Sequence, residues 1–341
     1  NAIANDVVIN ADEGNINEKG NIIEAVGSVV ITDLDQIKIT GDEAKYNKTD
    51  QLLEIKGDVK YIDESKNINI NSEKILYDRA QKKIYSYDST EINLFNKTNE
   101  VIDIKIKSKN SIIDQQNSVF EINEQVIVKD FLNNYEIFSE KIIYDNNERI
   151  IKSLNETKIN YLNKFLILTK DLKYDNNQKV FFSNQNTVVT DNLKNRFSLA
   201  SFNFNLNEKI IKAKKIKLFD KENNEIEIKN AFVDFKSNEI IGGNFKFKFN
   251  KNTFGNSEND PRIFGRYILN NQDTTVMKKG VFTTCKNVKG QCPAWSISAN
   301  EVKHDKIKKR IEYKKAWLDI YDVPVAYFPY FFHPDPTVKR Q

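Results

Sequence analysis

The chain has 341 residues, 39% hydrophobic and 29% charged, which suffices for a core and excludes an intrinsically disordered protein. No apolar run reaches the roughly 20 residues that a membrane-spanning helix needs. The net charge is only +4, but residues 251–341 carry 16 Lys and Arg against 9 Asp and Glu. This basic end fits anionic lipid head groups or an ordinary solvated surface. The chain begins at Asn1 without a signal peptide, and we read it as a mature or trimmed form.

A repeat of about 30 residues runs through the chain, as residues 9–29 and 39–59 show when they are aligned at an offset of 30. Each copy contains an Asp or Asn, here called the anchor, that follows an apolar or aromatic position. The first eight anchors are spaced by 29 to 36 residues, which low-complexity similarity does not explain. The anchors are Asn17, Asn47, Asp78, Asp114, Asp145, Asp175, Asn205, Asp234 and, in a last copy, Asp305.

Each copy is typical of a strand, a tight turn and a second strand, because polar turn formers such as D-N-N-E follow the anchor. The residue six positions after the anchor is always apolar, and the residue just before it is usually apolar, with His304 as the exception. The first set is Ile23, Leu53, Ile84, Phe120, Ile151, Phe181, Ile211, Ile240 and Ile311, and the second is Ile16, Tyr46, Tyr77, Ile113, Tyr144, Tyr174, Phe204 and Val233.

The pattern predicts an all-β fold of antiparallel strands in two walls, with each repeat adding a rung to both. Apolar residues alternate with charged ones at a spacing of 2, and β-branched and aromatic residues dominate, which argues against helices. The apolar strip is either an ordinary filled core or a trough in which a lipid lies between splayed walls. We predict the trough to be lined by Tyr46, Leu53, Tyr77, Ile84, Phe120, Tyr144, Ile151, Tyr174, Phe181, Ile211 and Ile240.

A change in composition near residue 250 predicts two regions, a repeat region over 1–250 and a connector over 251–341. All six prolines lie after residue 260, and both tryptophans, both cysteines and both histidines lie in the connector. The repeat is interrupted at about 251–295 and resumes once at 296–318. The end of the connector is rich in aromatics that fit either a membrane–water interface or a small aromatic core, namely Tyr327, Phe328, Tyr330, Phe331 and Phe332.

At this tail the sequence resembles a known family. Residues 311–340, IEYKKAWLDIYDVPVAYFPYFFHPDPTVKR, are similar to the segment that precedes the membrane barrel in the LptD family of lipopolysaccharide-assembly proteins. The stretches NDPRIFGRYI and GVFTTC, around 259–268 and 280–285, resemble that family too.

The repeat itself resembles the OstA-like domain that LptD shares with the bridge proteins LptA and LptC. The similar pattern is A-x-Y followed by G-x-V, as in Ala44, Tyr46, Gly57 and Val59. Together with the tail, this resemblance covers nearly the whole chain. Two departures stand out: the chain stops at Gln341, where the family continues into its first barrel strand, and the repeat array is longer than the family leads us to expect.

The resemblance implies a V-shaped β-jellyroll that accepts lipopolysaccharide acyl chains in an apolar groove and passes them toward an outer-membrane barrel. It also implies partners: lipopolysaccharide, an LptA-like bridge protein at the N-terminal edge, and an LptE-like lipoprotein bound through a barrel that this chain lacks. The expected location is the periplasmic side of the outer membrane. Two alternatives remain, a structural or adhesive β-solenoid with a dry core and a soluble periplasmic lipopolysaccharide bridge protein.

The sequence favours a non-enzymatic protein without cofactor, metal or nucleic acid. With two histidines and no HExxH, CxxC or P-loop motif, hydrolytic triads and metal sites have little to draw on. Paired carboxylates of a glycosidase come from distant positions, so that alternative stays open. Cys285 and Cys292 form an even pair at short spacing, which favours a local disulfide in an exported protein. Reduced thiols remain open, and the family resemblance adds pairing with cysteines of a barrel.

Overall fold

The computed structural model describes residues 2–4, 7–17, 19–33, 37–95, 101–192, 196–219, 223–251, 258–286 and 293–335. These residues form strands and turns, and no α-helix occurs among them. Contacts within the chain define two compact units, unit 1 (Asn1–Gln178) and unit 2 (Lys179–Gln341).

Unit 1 is a series of antiparallel strands in which each pairs mainly with its neighbours in sequence. They are β1 (Ala2–Ala4), β2 (Val7–Asn10), β3 (Glu13–Ile16), β4 (Ile22–Asp33), β5 (Ile37–Asn47), β6 (Leu52–Asp63), β7 (Ile68–Asp78), β8 (Lys83–Tyr87), β9 (Thr90–Phe95), β10 (Ile102–Ser108), β11 (Asn110–Asp114), β12 (Val119–Asp130), β13 (Tyr135–Asp145), β14 (Ile150–Ser153), β15 (Thr157–Tyr161), β16 (Phe165–Thr169) and β17 (Lys173–Asp175).

Unit 2 continues in the same manner with fewer, mostly longer strands. They are β18 (Val180–Ser183), β19 (Thr187–Asp191), β20 (Arg196–Leu199), β21 (Ser201–Asn205), β22 (Ile210–Phe219), β23 (Glu225–Asp234), β24 (Glu239–Lys248), β25 (Arg262–Asn270), β26 (Thr274–Thr283), β27 (Trp295–Asp305), β28 (Arg310–Ile320) and β29 (Val323–Pro334). The prediction of an all-β fold of antiparallel strands is therefore confirmed.

Strand pairing continues through the stretch in which the sequence repeat is interrupted. β24 pairs with β25, β25 with β26, and β26 with β27, all antiparallel. The connection between β25 and β26 has only three residues, 271–273, whereas the turn of most other copies has four. Because of this shorter turn, the repeat is not visible in the sequence here. The predicted boundary near residue 250 marks a change in composition, and as a domain boundary it stays a prediction.

The anchors are Asp or Asn because their side chains close the turns that follow them. Asp78 Oδ1 accepts a hydrogen bond from the backbone N–H of Gln81 at 2.8 Å, and Asp114 Oδ1 accepts one from Asn117 at 2.9 Å. The same type of bond occurs at each anchor. These bonds reach backbone N–H groups two to four residues on, which needs a short side chain with an acceptor oxygen.

Successive turns are also joined to one another by backbone hydrogen bonds. The donor is the backbone N–H of the residue just after an anchor. The acceptor is the carbonyl of the residue four positions after the previous anchor. Examples are the bonds from Asn146 to Ser118 at 2.9 Å and from Phe235 to Lys209 at 3.0 Å. The residue that supplies the carbonyl has a positive φ, as at Ser118 (56°) and Lys209 (59°). A left-handed residue here closes the turn without glycine, at a modest cost in backbone energy. The stack of these turns forms what we call the anchor edge.

The long strands bend near their middle. In unit 1 the pairing register shifts at that point, for example between Asn123 and Val126, and in both units residues there take a positive φ. A bulge of this kind bends a strand and re-aims its side chains, so each long strand has one segment on either side of its bend. The bend residues include Gly27, Ser28, Gly57, Asp58, Glu124, Gln125, Lys215, Asn244, Lys279 and Lys315.

Candidate functional site

The two sets of apolar positions that flank the anchors lie directly opposite each other across the strands. In unit 1 they form an unbroken series of cross-strand partners, which we call the unit 1 ladder. In order, the ladder is Ile16, Ile23, Tyr46, Leu53, Tyr77, Ile84, Ile113, Phe120, Tyr144, Ile151 and Tyr174. Direct partners on one face of a sheet are the pairs that stabilise it most, so the repeat builds one continuous apolar strip.

The unit 1 ladder is almost completely shielded from water. Ile16 at its start is 52% exposed, but from Ile23 to Tyr174 no ladder side chain is more than 4% exposed. The aromatic members pack edge to face, as Phe120 and Tyr144 do with ring centroids 5.5 Å apart. Burial of each large apolar side chain contributes about 1.5–3 kcal/mol, so this strip is a major part of the core of unit 1.

Unit 2 contains a shorter ladder that changes character along its length. Phe181, Phe204 and Ile211 are at most 6% exposed, whereas Val233 and Ile240 are only half-buried. The partners that follow Ile240 are Asn270, Thr275, His304, Ile311 and His333, most of them polar. Ile240 is thus the one predicted trough residue that is not fully buried.

Polar contacts join the anchor edge of unit 1 to the opposite ends of its strands. Arg79, in the turn after β7, lies 3.3 Å (Nε) from Asp33 (Oδ2), which ends β4. The same guanidinium donates a hydrogen bond from Nη1 to Tyr46 Oη at 3.2 Å. The Asp33 side chain is 9% exposed and that of Arg79 14%, so this pair is largely shielded from solvent.

Three further polar contacts occur along unit 1. Lys66, between β6 and β7, donates from Nζ to the carbonyl of Gln115 at 2.7 Å, and Gln115 Nε2 donates to Tyr61 Oη at 2.8 Å. Arg149 pairs with Asp103, whose side chain is only 5% exposed. We call these contacts, together with Arg79–Asp33, the seam.

The seam lies beside the tyrosines of the ladder. Tyr46 contacts Arg79 directly, and Tyr144 Oη donates a hydrogen bond to Asn146 at 3.2 Å, in the same turn as Arg149. Burial raises the pKa of Tyr144 to about 12, so this hydroxyl stays protonated at neutral pH. The seam therefore joins the two edges of unit 1 beside the buried apolar strip.

The bends of unit 1 are lined on the buried side by small hydroxyl residues that the sequence pattern did not single out. Ser86 Oγ and Ser111 Oγ lie 2.6 Å apart, and Thr90 donates to Ser86 at 2.8 Å. Thr157 makes the same kind of contact with Ser153 at 2.5 Å. Each of these hydroxyls is buried yet hydrogen-bonded, as buried polar groups must be. A local signal does mark these pairs, because Ser and Thr four residues apart recur in SYDST at 86–90 and SLNET at 153–157.

The predicted interface aromatics lie on β29, which among the described residues pairs only with β28. Tyr327, Phe328, Tyr330 and Phe332 are between 41% and 56% exposed, and Phe331 is half-buried. Phe331 stacks on Tyr313 with ring centroids 4.4 Å apart. The prolines of β29 fit an edge strand, because proline lacks the N–H that a central strand donates to its neighbour.

The cysteine prediction falls partly outside the described residues, because Cys292 is not among them. Cys285 is half-buried, and its backbone N–H donates to Thr283 Oγ1 at 3.1 Å. The disulfide therefore stays a prediction.

In the described part of the chain, no three or more His, Cys, Asp or Glu side chains are grouped to hold a metal ion. No described helix is long and apolar enough to cross a membrane.

Comparison with known proteins gives two findings. Residues 3–103 match the family model described as "OstA-like protein", which is under a third of the chain. No curated protein matches. Among solved structures, the chain is similar to LptH of Pseudomonas aeruginosa, described as the LptA homologous periplasmic component of the conserved lipopolysaccharide transport device. The identity is 15% over 42% of this chain and 79% of that chain, and the TM-score of 0.20 is too low to establish a common fold.

Proposed function

We propose that this chain takes part in lipopolysaccharide transport by holding acyl chains along its apolar ladders on the periplasmic side of the outer membrane. The observation that carries the proposal is the unbroken series of apolar cross-strand partners from Ile23 to Tyr174. The match of residues 3–103 to the OstA-like family supports it, since the sequence resemblance links such domains to lipopolysaccharide transport.

The ladder suits acyl chains because successive rungs are chemically alike. Burial of one methylene is worth about 0.8 kcal/mol, so an acyl chain is held firmly wherever it lies on the strip. Movement from one rung to the next exchanges equivalent contacts and changes the free energy little. A push from behind is then enough to move the lipid toward an outer-membrane barrel.

Entry of acyl chains needs the seam to open. From Ile23 to Tyr174 the ladder residues are at most 4% exposed while the seam is closed, so the walls of unit 1 must separate by at least the width of a chain. The seam is polar, and its charged groups regain hydration when it opens, which lowers the free-energy cost of opening relative to that of an apolar seal.

The alternative function, a structural β-solenoid with a permanently dry core, is favoured by the same low exposure of the ladder. The experiment must therefore separate the two functions.

Site-specific photocrosslinking in cells tests the proposal. A photoreactive side chain at Ile240, which is half-buried, is compared with one at its neighbour Ile241, which is 51% exposed. A second pair is the buried Ile151 and the exposed Lys152. We expect lipopolysaccharide adducts at Ile240 and Ile151 but not at the two controls. Folded, exported protein without adducts at either ladder position would leave the dry-core reading.

A reversible lock on the seam provides a second test. Asp33→Cys and Arg79→Cys are combined with Cys285→Ser and Cys292→Ser, and a short cleavable thiol cross-linker joins the two edges. We expect the lock to abolish adducts at Ile151 and cleavage of the linker to restore them. Adducts that persist in the locked protein would show that lipid does not enter through the seam.

The proposed partners follow from the sheet edges and remain part of the proposal. β1 pairs with β2, and an unpaired strand edge is a template for addition of a strand from another protein. An LptA-like bridge protein is the proposed partner at this N-terminal edge. An LptE-like lipoprotein is the proposed partner at the outer membrane, and the exposed aromatics of β29 are the proposed contact with the membrane–water interface.

A further inference from the structure

Unit 2 contains a cavity of about 810 Å³ at the bends of β22 to β26. Its volume is in the range of small-molecule and cofactor sites, roughly 300–1,000 Å³. Ile216, Ile228 and Phe245 line it and are themselves at most 6% exposed, so they form an apolar floor. Ile216 pairs with Ile228, and Ile228 with Phe245, so the floor is a row of direct cross-strand partners.

The floor depends on the glycine of the next strand. Gly265 pairs with Phe245, and a Cβ at this position would lie 2.7 Å from Cε1 of the Phe245 ring. Glycine therefore leaves room for the ring to lie against β25. Phe264 and Val281, on the neighbouring strands β25 and β26, complete the apolar part of the lining.

The rim of the cavity is strongly basic. Of its charged lining residues, only Glu227 is acidic, while six are basic: Lys215, Lys217, Lys229, Lys246, Arg266 and Lys279. Lys217 is paired with Glu225. Among the described residues, none of the other five cations has an ion-pair partner, so their charges are available to a ligand.

The bends bring these cations together. Lys215 and Lys279 have positive φ values of 50° and 52°, so each is a bend residue of its strand. The alternation of faces changes at such a residue: in β22 the buried residues are Ile211 and Ala213 before Lys215, and Ile216 after it. Cations from strands that are distant in sequence thus surround one apolar floor.

We propose that this cavity binds the phosphate head and adjoining apolar part of an anionic amphiphile, such as a lipid that carries a phosphate monoester. Several cations without acidic partners match a dianionic phosphate, and Arg266 adds a planar fork that phosphate oxygens accept bidentately. The apolar floor distinguishes the site from a simple anion site, because inorganic phosphate gains nothing from it. The inference does not rest on the ladders, since the cavity lies at the bends of unit 2 and its ligand need not be lipopolysaccharide.

Calorimetric titration of the whole chain with dihexanoyl phosphatidic acid, which is soluble as a monomer, tests the proposal. Inorganic phosphate and dihexanoyl phosphatidylcholine are the comparison ligands. We expect phosphatidic acid to bind about tenfold more tightly than inorganic phosphate, because the floor adds apolar contacts worth more than 1.4 kcal/mol. We expect no heat of binding with phosphatidylcholine. Equal affinity for phosphatidic acid and inorganic phosphate, or for phosphatidic acid and phosphatidylcholine, would overturn the proposal.

A pair of charge-matched variants separates the cavity from general electrostatic attraction. The cavity variant should bind phosphatidic acid at least about tenfold more weakly, while the control should stay within about twofold of the unmodified chain. Equal weakening in both would contradict the proposal, and circular dichroism verifies that both fold. The cavity variant carries Lys215→Gln, Lys229→Gln, Arg266→Gln and Lys279→Gln, and the control carries Lys209→Gln, Lys236→Gln, Lys308→Gln and Lys309→Gln at exposed turns.

Should the cavity variant fail to fold, Arg266→Gln alone is expected to weaken phosphatidic acid binding several-fold. An unchanged affinity of this single variant would contradict the proposal.

Discussion

Unit 1 and unit 2 are built from the same repeat but carry opposite charge. Residues 1–178 contain 23 Lys and Arg against 31 Asp and Glu, whereas residues 179–341 contain 29 against 17. The contrast is sharpest at the bends, where unit 1 has Asp58 and Glu124 and unit 2 has Lys215 and Lys279. The apolar pattern that specifies the fold is thus independent of the charge at the bends, which is free to differ between the units.

The interiors differ as well. The unit 1 ladder is at most 4% exposed from Ile23 onward and lies beneath a polar seam. The ladder of unit 2 loosens at Val233 and Ile240 and then becomes polar at Asn270. We interpret unit 1 as the part with the tighter core and unit 2 as the part with more accessible apolar surface. The following predictions test this difference.

The largest expected effect comes from a truncation in the tight ladder. Ile151→Ala should lower the free energy of unfolding by about 2–5 kcal/mol, because the side chain is 0% exposed and its removal leaves a cavity. Ile240→Ala, at the half-buried position of unit 2, should cost clearly less. Urea unfolding monitored by circular dichroism measures both. Equal losses would contradict the difference in packing between the two ladders.

Removal of one partner of an ion pair in the seam should have the next largest effect on the free energy of unfolding. Asp103→Ala removes a carboxylate that is 5% exposed and leaves Arg149 without its partner. We expect the free energy of unfolding to fall by about 2–3 kcal/mol. A fully buried pair would lose more, but the Arg149 side chain is 27% exposed. Glu24→Ala breaks an ion pair in which both side chains are about half exposed and should cost less than about 1 kcal/mol. If the two variants unfold at the same urea concentration, the seam does not hold unit 1 closed.

A backbone test at a bend should give a smaller change. Gly57 has a φ of +79°, and an added Cβ would collide with the side chain of Asp42. Gly57→Ala should therefore lower the free energy of unfolding by roughly 1–2 kcal/mol. Gly14 provides the control, because its Cβ would meet only the carbonyl oxygen of Glu24 at 3.6 Å. Thermal unfolding of both variants measures the difference. An unchanged melting temperature for Gly57→Ala would mean that the bend tolerates a side chain.

The smallest expected effect is a pH dependence in unit 2. Hydrogen bonds from Lys217 and Lys248 lower the pKa of Glu225 from 4.5 to about 2. A carboxylate with a lowered pKa in the folded state adds stability that is fully present above pH 4.5 and is lost as the pH falls toward 2. Glu225→Gln should therefore be less stable than the unmodified chain at pH 7, and the gap should close between about pH 4.5 and pH 2. A gap that is constant over this range would exclude Glu225 as its source.

The sequence predicts the turns and ladders well because both depend on local rules. An anchor such as Asp78 closes its own turn with a hydrogen bond three residues on, and period-2 alternation places Leu53 and Ile55 on one face. The seam does not follow from the sequence, since Asp33 and Arg79 are 46 residues apart and no pattern links them. The cavity cations are equally hidden, because a bend interrupts the alternation by which a side chain is assigned to a face.

The sequence by itself therefore determined the strand-turn-strand unit, its spacing and the apolar residues of each rung. These follow from side-chain periodicity and turn chemistry, which act over a few neighbouring residues. Only the tertiary structure decided that the flanking positions of successive repeats meet as direct partners, that a polar seam joins the two edges beside them, and that Lys215 and Lys279 gather around an apolar floor. Those features depend on register and on bends, through which strands far apart in sequence come into contact.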